Sequence, residues 1–587
     1  MPPGIKKGLI CTSKKKEKFI PQKHQTETMN FFMSSPYKGL LLYHELGSGK
    51  TCTSIMIADK MLKKEKIQRV FIMTPGSLRQ GWIDEYCGKC GLDPLYLKQK
   101  FIFITYNYSV GKILPDFNDS LVIIDEVHNL INGVKNGSFH PTAIYEALVA
   151  ANCRVLALSG TVVYNFVYEF ALLGNLLKPG GEFKDIRIPG KKELNPKNFM
   201  KWFNQDEDGI LTPINKTTMK RRLEGIISYF PGAGKEFVPE VIEQEPIKCQ
   251  MTKLQEQQYW NSDDTERKLS KPTSAKLVAT NKKLYDLLSK LYIMAQKNIL
   301  TRLSSNFCYA SENGDEENDD EKKETVPSRM PNLDDDNIEE LDEKLADLAI
   351  SETSDIKVER KRDIPVEEGG WVSKEIFKEG NLFKIHSTKF TALLLNIGLH
   401  INQKHLVFTF FKERSGVYLL KSLLGLCGVT SVIFSGDLDD KERSKLLKKF
   451  NSTENKYGNV IRVLLVTEAG AEGISVLDTR HMHILESSNR VGKTTQAIGR
   501  VARYKSHMNL PLEERNVKVW RYWSTASDEP ITITTKSYNS EGKKVESSKT
   551  ITDKRCIDEI LYDKGMRTKR EIDSFKELLK SVSTTSF

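Results

Sequence analysis

The sequence predicts an α/β protein with two parallel-sheet domains in tandem, and a helical and acidic insertion in or before the second. Three observations carry this reading. Short apolar runs bounded by turn residues recur with helical stretches between them, which is the strand–helix–strand alternation of parallel sheets. One run, Leu40 to Thr51, breaks into a glycine turn ending in Lys-Thr and continues as a helical stretch from Cys52 to Leu62. The composition then changes twice, to long helical spacings after about Glu245 and to Asp/Glu-rich text between Ser311 and about Gly370, before a second set of apolar runs starts near Ser387.

In order, the first block offers strands at Gly39–Tyr43, Arg69–Thr74, Phe101–Thr105, Leu121–Asp125 and Arg154–Ser159. The second offers Leu406–Phe410, Val429–Phe434, Arg462–Thr467, His481–Leu485 and Val517–Tyr522. The expected division is 1–245 for the first domain and 246–385 for the helical segment, with the flexible acidic insertion at about 311–370. The second domain follows over 386–530, and 531–587 is a polar extension. Ligands of such sheets sit beyond the carboxyl ends of the strands, where Lys50, Asp125 and Ser159 fall.

The turn at Gly47-Ser48-Gly49-Lys50-Thr51 reads as a phosphate-binding loop. Gly47 and Gly49 let the backbone aim N–H groups at an anion, with Ser48 between them, and the helix that follows presents its positive end to the same charge. Lys50 then neutralises the β- and γ-phosphates of ATP, and the Thr51 hydroxyl joins the shell of a Mg²⁺ ion. One residue departs from the usual spacing: His44 stands five residues before Gly49, where a glycine is expected.

Charge narrows the partners. The formal net charge is +11, but Glu312–Lys344 holds 15 acidic and 4 basic residues, so the remainder carries +22. Such a surface favours a polyanion, with nucleic acid first and contacts mainly to the backbone because no base-reading element is identifiable. The nine cysteines are scattered, which fits a reducing compartment rather than a disulfide framework. The one close pair, Cys87-Gly-Lys-Cys90, reads as two ordinary buried thiols, since no second pair follows. The lysine-rich N-terminus has no signal-peptide core, and no run of about 18 apolar residues occurs, so a soluble intracellular protein with no membrane contact is expected.

Leu121-Val122-Ile123-Ile124-Asp125-Glu126-Val127-His128 delivers two carboxylates to a strand end, 75 residues after Lys50. Phosphoanhydride hydrolysis needs one carboxylate for the metal, here Asp125, and a second group to orient or deprotonate water, here Glu126. At this point the sequence resembles the superfamily 2 helicases and translocases, whose acidic box is Asp-Glu-x-His, and the resemblance runs from about Gln25 to Tyr504. It implies two RecA-like domains, with Gln25 as the adenine contact and Phe71–Leu78 as a nucleic-acid backbone segment. It also implies that His128, Ser159 and Thr161, the last two in Ser159-Gly160-Thr161, couple hydrolysis to domain movement.

In the second block, Val407-Phe408-Thr409-Phe410 with Phe434-Ser435-Gly436 and Arg443 resembles the fourth motif. Thr467 to Ser475 resembles the fifth, with Gly473 at the phosphates, and Gln496-Ala497-Ile498-Gly499-Arg500-Val501-Ala502-Arg503 the sixth. By that likeness Gln496 joins the nucleotide contacts, Arg503 is the arginine finger and Arg500 a second cation on the γ-phosphate. Gly492-Lys493-Thr494-Thr495, just before it, reads as a loop leading into the helix.

Further details resemble the helicase-like ATPases of large cytoplasmic DNA viruses, of the early-transcription-factor small-subunit and transcription-termination type. These are His44, Asn129 after the acidic box, Gly225–Phe230 and Arg503-Tyr504-Lys505-Ser506-His507. The resemblance implies a place among transcription-machinery subunits, in host cytoplasm and virion. Three activities stay open on sequence: a translocase in transcription, a strand-separating helicase in replication or repair, and a non-catalytic nucleotide-gated scaffold. All four of Lys50, Asp125, Glu126 and Arg503, one of which a degenerate member normally loses, are present.

Overall fold

A computed structural model describes residues 20–45, 48–75, 79–90, 94–106, 114–160, 162–163, 166–179, 196–232, 237–269, 298–308, 382–436, 438–471, 474–489, 491–538 and 544–584. The acidic stretch 311–370, and Gly47, Thr161 and Gly473 among the expected site residues, lie outside the described residues. The chain divides into two compact units. One is Met1–Val238 with Arg490–Thr495 and Lys564–Phe587, the other Pro239–Asn489 with Gln496–Asp563.

The first unit contains β1 (Gly39–His44), β2 (Arg69–Met73), β3 (Phe101–Ile104), β4 (Ser120–Asp125) and β5 (Arg154–Leu158). They are followed by β6 (Phe203–Gln205), β7 (Leu211–Pro213) and β8 (Ile227–Phe230). Six strands form one sheet in the order β3-β2-β4-β5-β1-β8, every neighbour parallel, while β6 and β7 make a separate antiparallel pair. Side chains alternate between two cores. Leu40, Leu42, Leu121 and Ile123 pack with the helices Lys23–Ser34 and Lys50–Lys63. Leu41, Tyr43, Val122 and Ile124 pack with His128–Lys135, Phe139–Ala150 and Phe170–Leu177. Burial on both faces is why these strands read as unbroken apolar runs.

The polar last residues also build this unit. From the helix Ile557–Ser581, Ile572, Phe575 and Leu579 enter the second of those cores, and Phe575 meets Phe170, Phe199 and Phe203 with ring centroids 5.3, 6.1 and 5.9 Å away. Beyond the helix, Thr584 N–H donates to Ile227 O (2.9 Å) and Ser583 Oγ accepts from Tyr229 N–H (2.9 Å), so residues 583 and 584 lie along the edge strand β8.

The second unit holds β9 (Glu240–Glu243), β10 (Ile247–Gln250), β11 (Lys404–Phe408), β12 (Ser431–Phe434), β13 (Val463–Val466), β14 (Thr479–Ile484) and β15 (Asn516–Thr525). They form one parallel sheet, β10-β15-β14-β11-β13-β12, in which the long β15 also takes β9 along its first half. An antiparallel pair follows, β16 (Ile531–Tyr538) and β17 (Lys544–Ile551). The α/β expectation of two parallel sheets therefore holds. Two local expectations are overturned. Gly492–Thr495 forms the opening of the helix Val491–Val501 rather than a loop, since nothing after Val491 breaks the helical hydrogen-bond ladder. Cys87 and Cys90 are not plain thiols: both are disulfide-bonded, Cys90 to Cys52 with Cα atoms 6.0 Å apart. No helix among the described residues is long and apolar enough to cross a membrane.

Candidate active site

In the first unit the expected site residues converge at the carboxyl ends of β1, β4 and β5. After β1 the chain reaches Gly49, which is left-handed at φ 75° and immediately precedes the helix Lys50–Lys63. The left-handed torsion favours glycine, and a Cβ there would lie 2.7 Å from Gln25 Nε2 and displace the amide that donates to Gly49 O. The Ser48 hydroxyl is buried without a hydrogen-bond partner. Lys50 Nζ donates to His44 O (2.7 Å) and Glu45 O (3.4 Å). An orphaned buried hydroxyl, a glycine cradle and an ammonium beside them fit a phosphate group.

The segment read as the adenine contact is tied to this loop. Gln25 is buried; its amide donates to Gly49 O (3.3 Å) and accepts from Gln22 N–H (2.9 Å). His24 Nε2 lies 2.9 Å from Ser48 O, and its ring stacks on Phe230 with centroids 3.7 Å apart. His44, the departure from the usual loop, is fully buried and bonds Ser228 Oγ (3.0 Å), which in turn meets Thr28 Oγ1 (3.1 Å). Burial, then the Lys50 charge, pushes His44 down to about 3, so it stays neutral. A histidine here fastens the strand end to β8 and to the helix Lys23–Ser34, a constraint that glycine could not supply.

At the end of β4, Asp125 Oδ2 accepts from Trp82 Nε1 (2.8 Å) and, at longer range, Thr74 Oγ1 (3.5 Å). The Asp125 carbonyl accepts a short hydrogen bond from the Tyr106 hydroxyl. Burial and then the neighbouring Glu126 push the Asp125 carboxyl up to about 6, although the Trp82 bond and Lys50 oppose the shift. Glu126 is left-handed at φ 50°, a conformation that costs a non-glycine residue roughly 1–2 kcal/mol. It projects a partly exposed carboxylate whose Oε2 lies 3.4 Å from His128 Nδ1. The same Nδ1 is 3.4 Å from Ser159 Oγ, so Glu126, His128 and Ser159 form one chain of polar contacts. Gly160, where the family has alanine, would place a Cβ 3.9 Å from both His44 O and Lys50 Nζ.

The second unit carries the remaining candidates. Gln496 and Arg500 lie on Val491–Val501, and Arg503 stands two residues past its end, its backbone N–H donating to Ser506 Oγ (3.1 Å). The Arg500 Nε is buried without a hydrogen-bond partner. In the stretch read as the fifth motif, a Cβ on Gly470 would sit 2.0 Å from Phe434 O, so that turn requires glycine. Arg443 Nη2 donates to Ser435 O (3.2 Å) and Gly436 O (2.6 Å), joining the pieces of the fourth motif. Sequence reasoning missed Trp82 and Tyr106. Nothing in their own spacing marks them; the signal available was an aromatic donor one helix after β2, the strand paired with β4.

Comparison with known proteins accords with this arrangement. Residues 18–163 match the family described as type III restriction enzyme, res subunit, and residues 388–505 match the helicase conserved C-terminal domain. A mimivirus protein that carries the name ATP-dependent RNA helicase R563 is 25% identical over 569 residues, covering 89% of this chain and 85% of its own. The termination factor NPH-I homolog of African swine fever virus is 26% identical over 591 residues, covering 93% of this chain and 76% of the relative. Among solved structures, the Pyrococcus furiosus Hef helicase domain aligns with 87% of this chain and 96% of its own at 15% identity and a TM-score of 0.41. The Sulfolobus solfataricus SWI2/SNF2 ATPase core in complex with dsDNA aligns with 88% and 90% at 15% identity and a TM-score of 0.30. The two family matches and the viral relatives, which align with most of this chain, support a superfamily 2 helicase-like, nucleic-acid-dependent ATPase akin to those of large DNA viruses.

Proposed function

We propose that the chain couples ATP hydrolysis to movement along nucleic acid, as a DNA translocase serving viral-type transcription. The observation that supports this most is the likeness to an African swine fever virus protein named a termination factor, which extends over 93% of the chain rather than over the nucleotide-binding motifs alone. In this reading Ser48, Gly49 and Lys50 hold the phosphates, with Gln25 at the adenine. Thr51 and Asp125 would hold Mg²⁺, which supplies charge neutralisation on the phosphates when bound. Glu126 orients and deprotonates the attacking water; its nearness to His128 and Ser159 offers a route from that event to the rest of the unit. Arg500 and Arg503 stabilise charge on the transferred phosphoryl group, a role supported by their Gln-x-x-Gly-Arg-x-x-Arg spacing.

A second reading, strand separation on RNA, is favoured by the name of the mimivirus relative. ATP turnover with single- and double-stranded DNA and RNA at two salt concentrations distinguishes the tracks, because backbone contacts weaken steeply with salt. Triplex displacement beside strand displacement separates translocation from unwinding. Stimulation by duplex DNA with triplex displacement supports the proposal; unwinding without triplex displacement overturns it.

A further inference from the structure

We propose that Trp82 is a positioning residue for Asp125, its indole N–H fixing the carboxylate through which the site takes a divalent cation. This rests on the reading of Asp125 as the metal carboxylate. The contact is specific: Trp82 Nε1 stands 2.8 Å from Asp125 Oδ2. An indole N–H only donates, so Oδ2 must accept, and the ring cannot itself ligate the cation. The donor is also held still. Trp82 is 4% exposed and sits in the apolar layer with Ile83 and Tyr86, on the helix Arg79–Asp84 that follows β2. Because β2 pairs with β4 in parallel register, Met73 opposite Ile124, the start of that helix falls beside the end of β4.

Two further constraints bear on the same residue. Tyr106 donates to the Asp125 carbonyl, so main chain and carboxylate are each gripped by an aromatic donor from a different segment. Beyond Trp82 the chain runs through a π-helical turn, Glu85–Lys89, to Cys90, whose disulfide to Cys52 ties it to the helix that opens with Lys50 and Thr51. The segment bearing the donor is thus fastened to the acidic strand end and to the phosphate-loop helix. Partners that orient a ligating carboxylate in this way typically change metal affinity or activity by roughly 10–100-fold when removed.

The test uses the full chain and two readouts. With ¹⁵N-labelled indoles, the Trp82 N–H resonance, identified by its loss in Trp82→Phe, should move on Asp125→Ala in protein without nucleotide or metal. The Mg²⁺ concentration for half-maximal binding of a fluorescent ATP analogue, and for ATP turnover, should rise about tenfold in Trp82→Phe. Binding of the analogue without Mg²⁺ should stay as in the wild type. An unmoved indole resonance in Asp125→Ala, or a wild-type Mg²⁺ requirement in Trp82→Phe, overturns the proposal. If Asp125→Ala itself keeps the wild-type Mg²⁺ requirement, the assignment of Asp125 fails instead; if only Trp82→Phe does, that assignment stands and the positioning role falls.

Discussion

Mild acid should destabilise the second unit, and the size of the effect follows from a ladder of buried histidines. His405 and His481 face each other across β11 and β14, and His483 lies opposite Trp520 on β15. His405 Nδ1 is 3.0 Å from His483 Nε2, His483 Nδ1 is 2.8 Å from the Tyr522 hydroxyl, and Trp520 Nε1 donates to His481 Nδ1 (3.0 Å). Burial above all, with the neighbouring histidines disfavouring a second proton, pushes His405 to about 4, His481 to about 2 and His483 well below its usual 6.5; burial also takes His507 to about 4, and the bonds of His405 to His400 O and of His507 to Thr479 O only partly oppose this. These groups bind protons in the unfolded chain before they do in the fold. Their contribution is therefore complete above pH 6.5 and is lost as pH falls below it.

Between pH 6.5 and 5.5 each histidine removes roughly 1 kcal/mol, or roughly 4 kcal/mol for the four. Glu266, pushed up to about 8 by burial, acts in the opposite sense and returns roughly 1 kcal/mol over the same interval. A net loss of about 3 kcal/mol remains. Hydrogen exchange of peptides spanning β11 and β14, corrected for intrinsic rates, reads this as a fall in opening free energy. Protection that is constant or rises from pH 6.5 to 5.5 would refute the reasoning.

Two other outcomes follow from local geometry. The Cys52–Cys90 bond closes a 38-residue separation, worth roughly 4 kcal/mol in loop entropy, so reduction by a dithiol should lower the first unit's melting temperature by about 8 °C or more. An unchanged melting curve under reductant would contradict that. Gly49→Ala should raise the KM for ATP about tenfold, since a left-handed alanine costs roughly 1–2 kcal/mol and its Cβ displaces the Gln25 amide that donates to Gly49 O. Gly160→Ala, whose nearest neighbours are 3.9 Å away, should leave KM and kcat within a factor of about two. Equal effects of the two substitutions would argue against the loop geometry.

What could be read in advance had a local cause. The central strands were legible because helices cover both faces, which leaves apolar runs such as Leu121–Ile124. Asp125 and Glu126 were legible because they stand at the end of an apolar strand, and Lys50 because a glycine turn joins a strand to the helix it opens. The edge strands β8, β9 and β10 were not: β9, for one, is largely exposed and carries Glu240 and Glu243, so no apolar run announces it. The helix Ile557–Ser581 hides its core residues, Ile557, Leu561, Ile572, Phe575 and Leu579, among charged ones. Trp82, the Cys52–Cys90 bond and the histidine ladder share another cause. Each joins residues far apart in sequence, on helices or on neighbouring strands, that only the assembled sheet and its covering helices bring together.

The central claim is that ATP is hydrolysed at the ends of β1 and β4 and that nucleic acid drives the rate. Steady-state ATP turnover with and without nucleic acid, for the wild type, Lys50→Ala and Glu126→Gln, tests it most directly. Stimulation of the wild type is expected, with a loss of roughly 10²-fold or more in both variants and Glu126→Gln still binding a fluorescent ATP analogue. Turnover at the wild-type rate in either variant would contradict it.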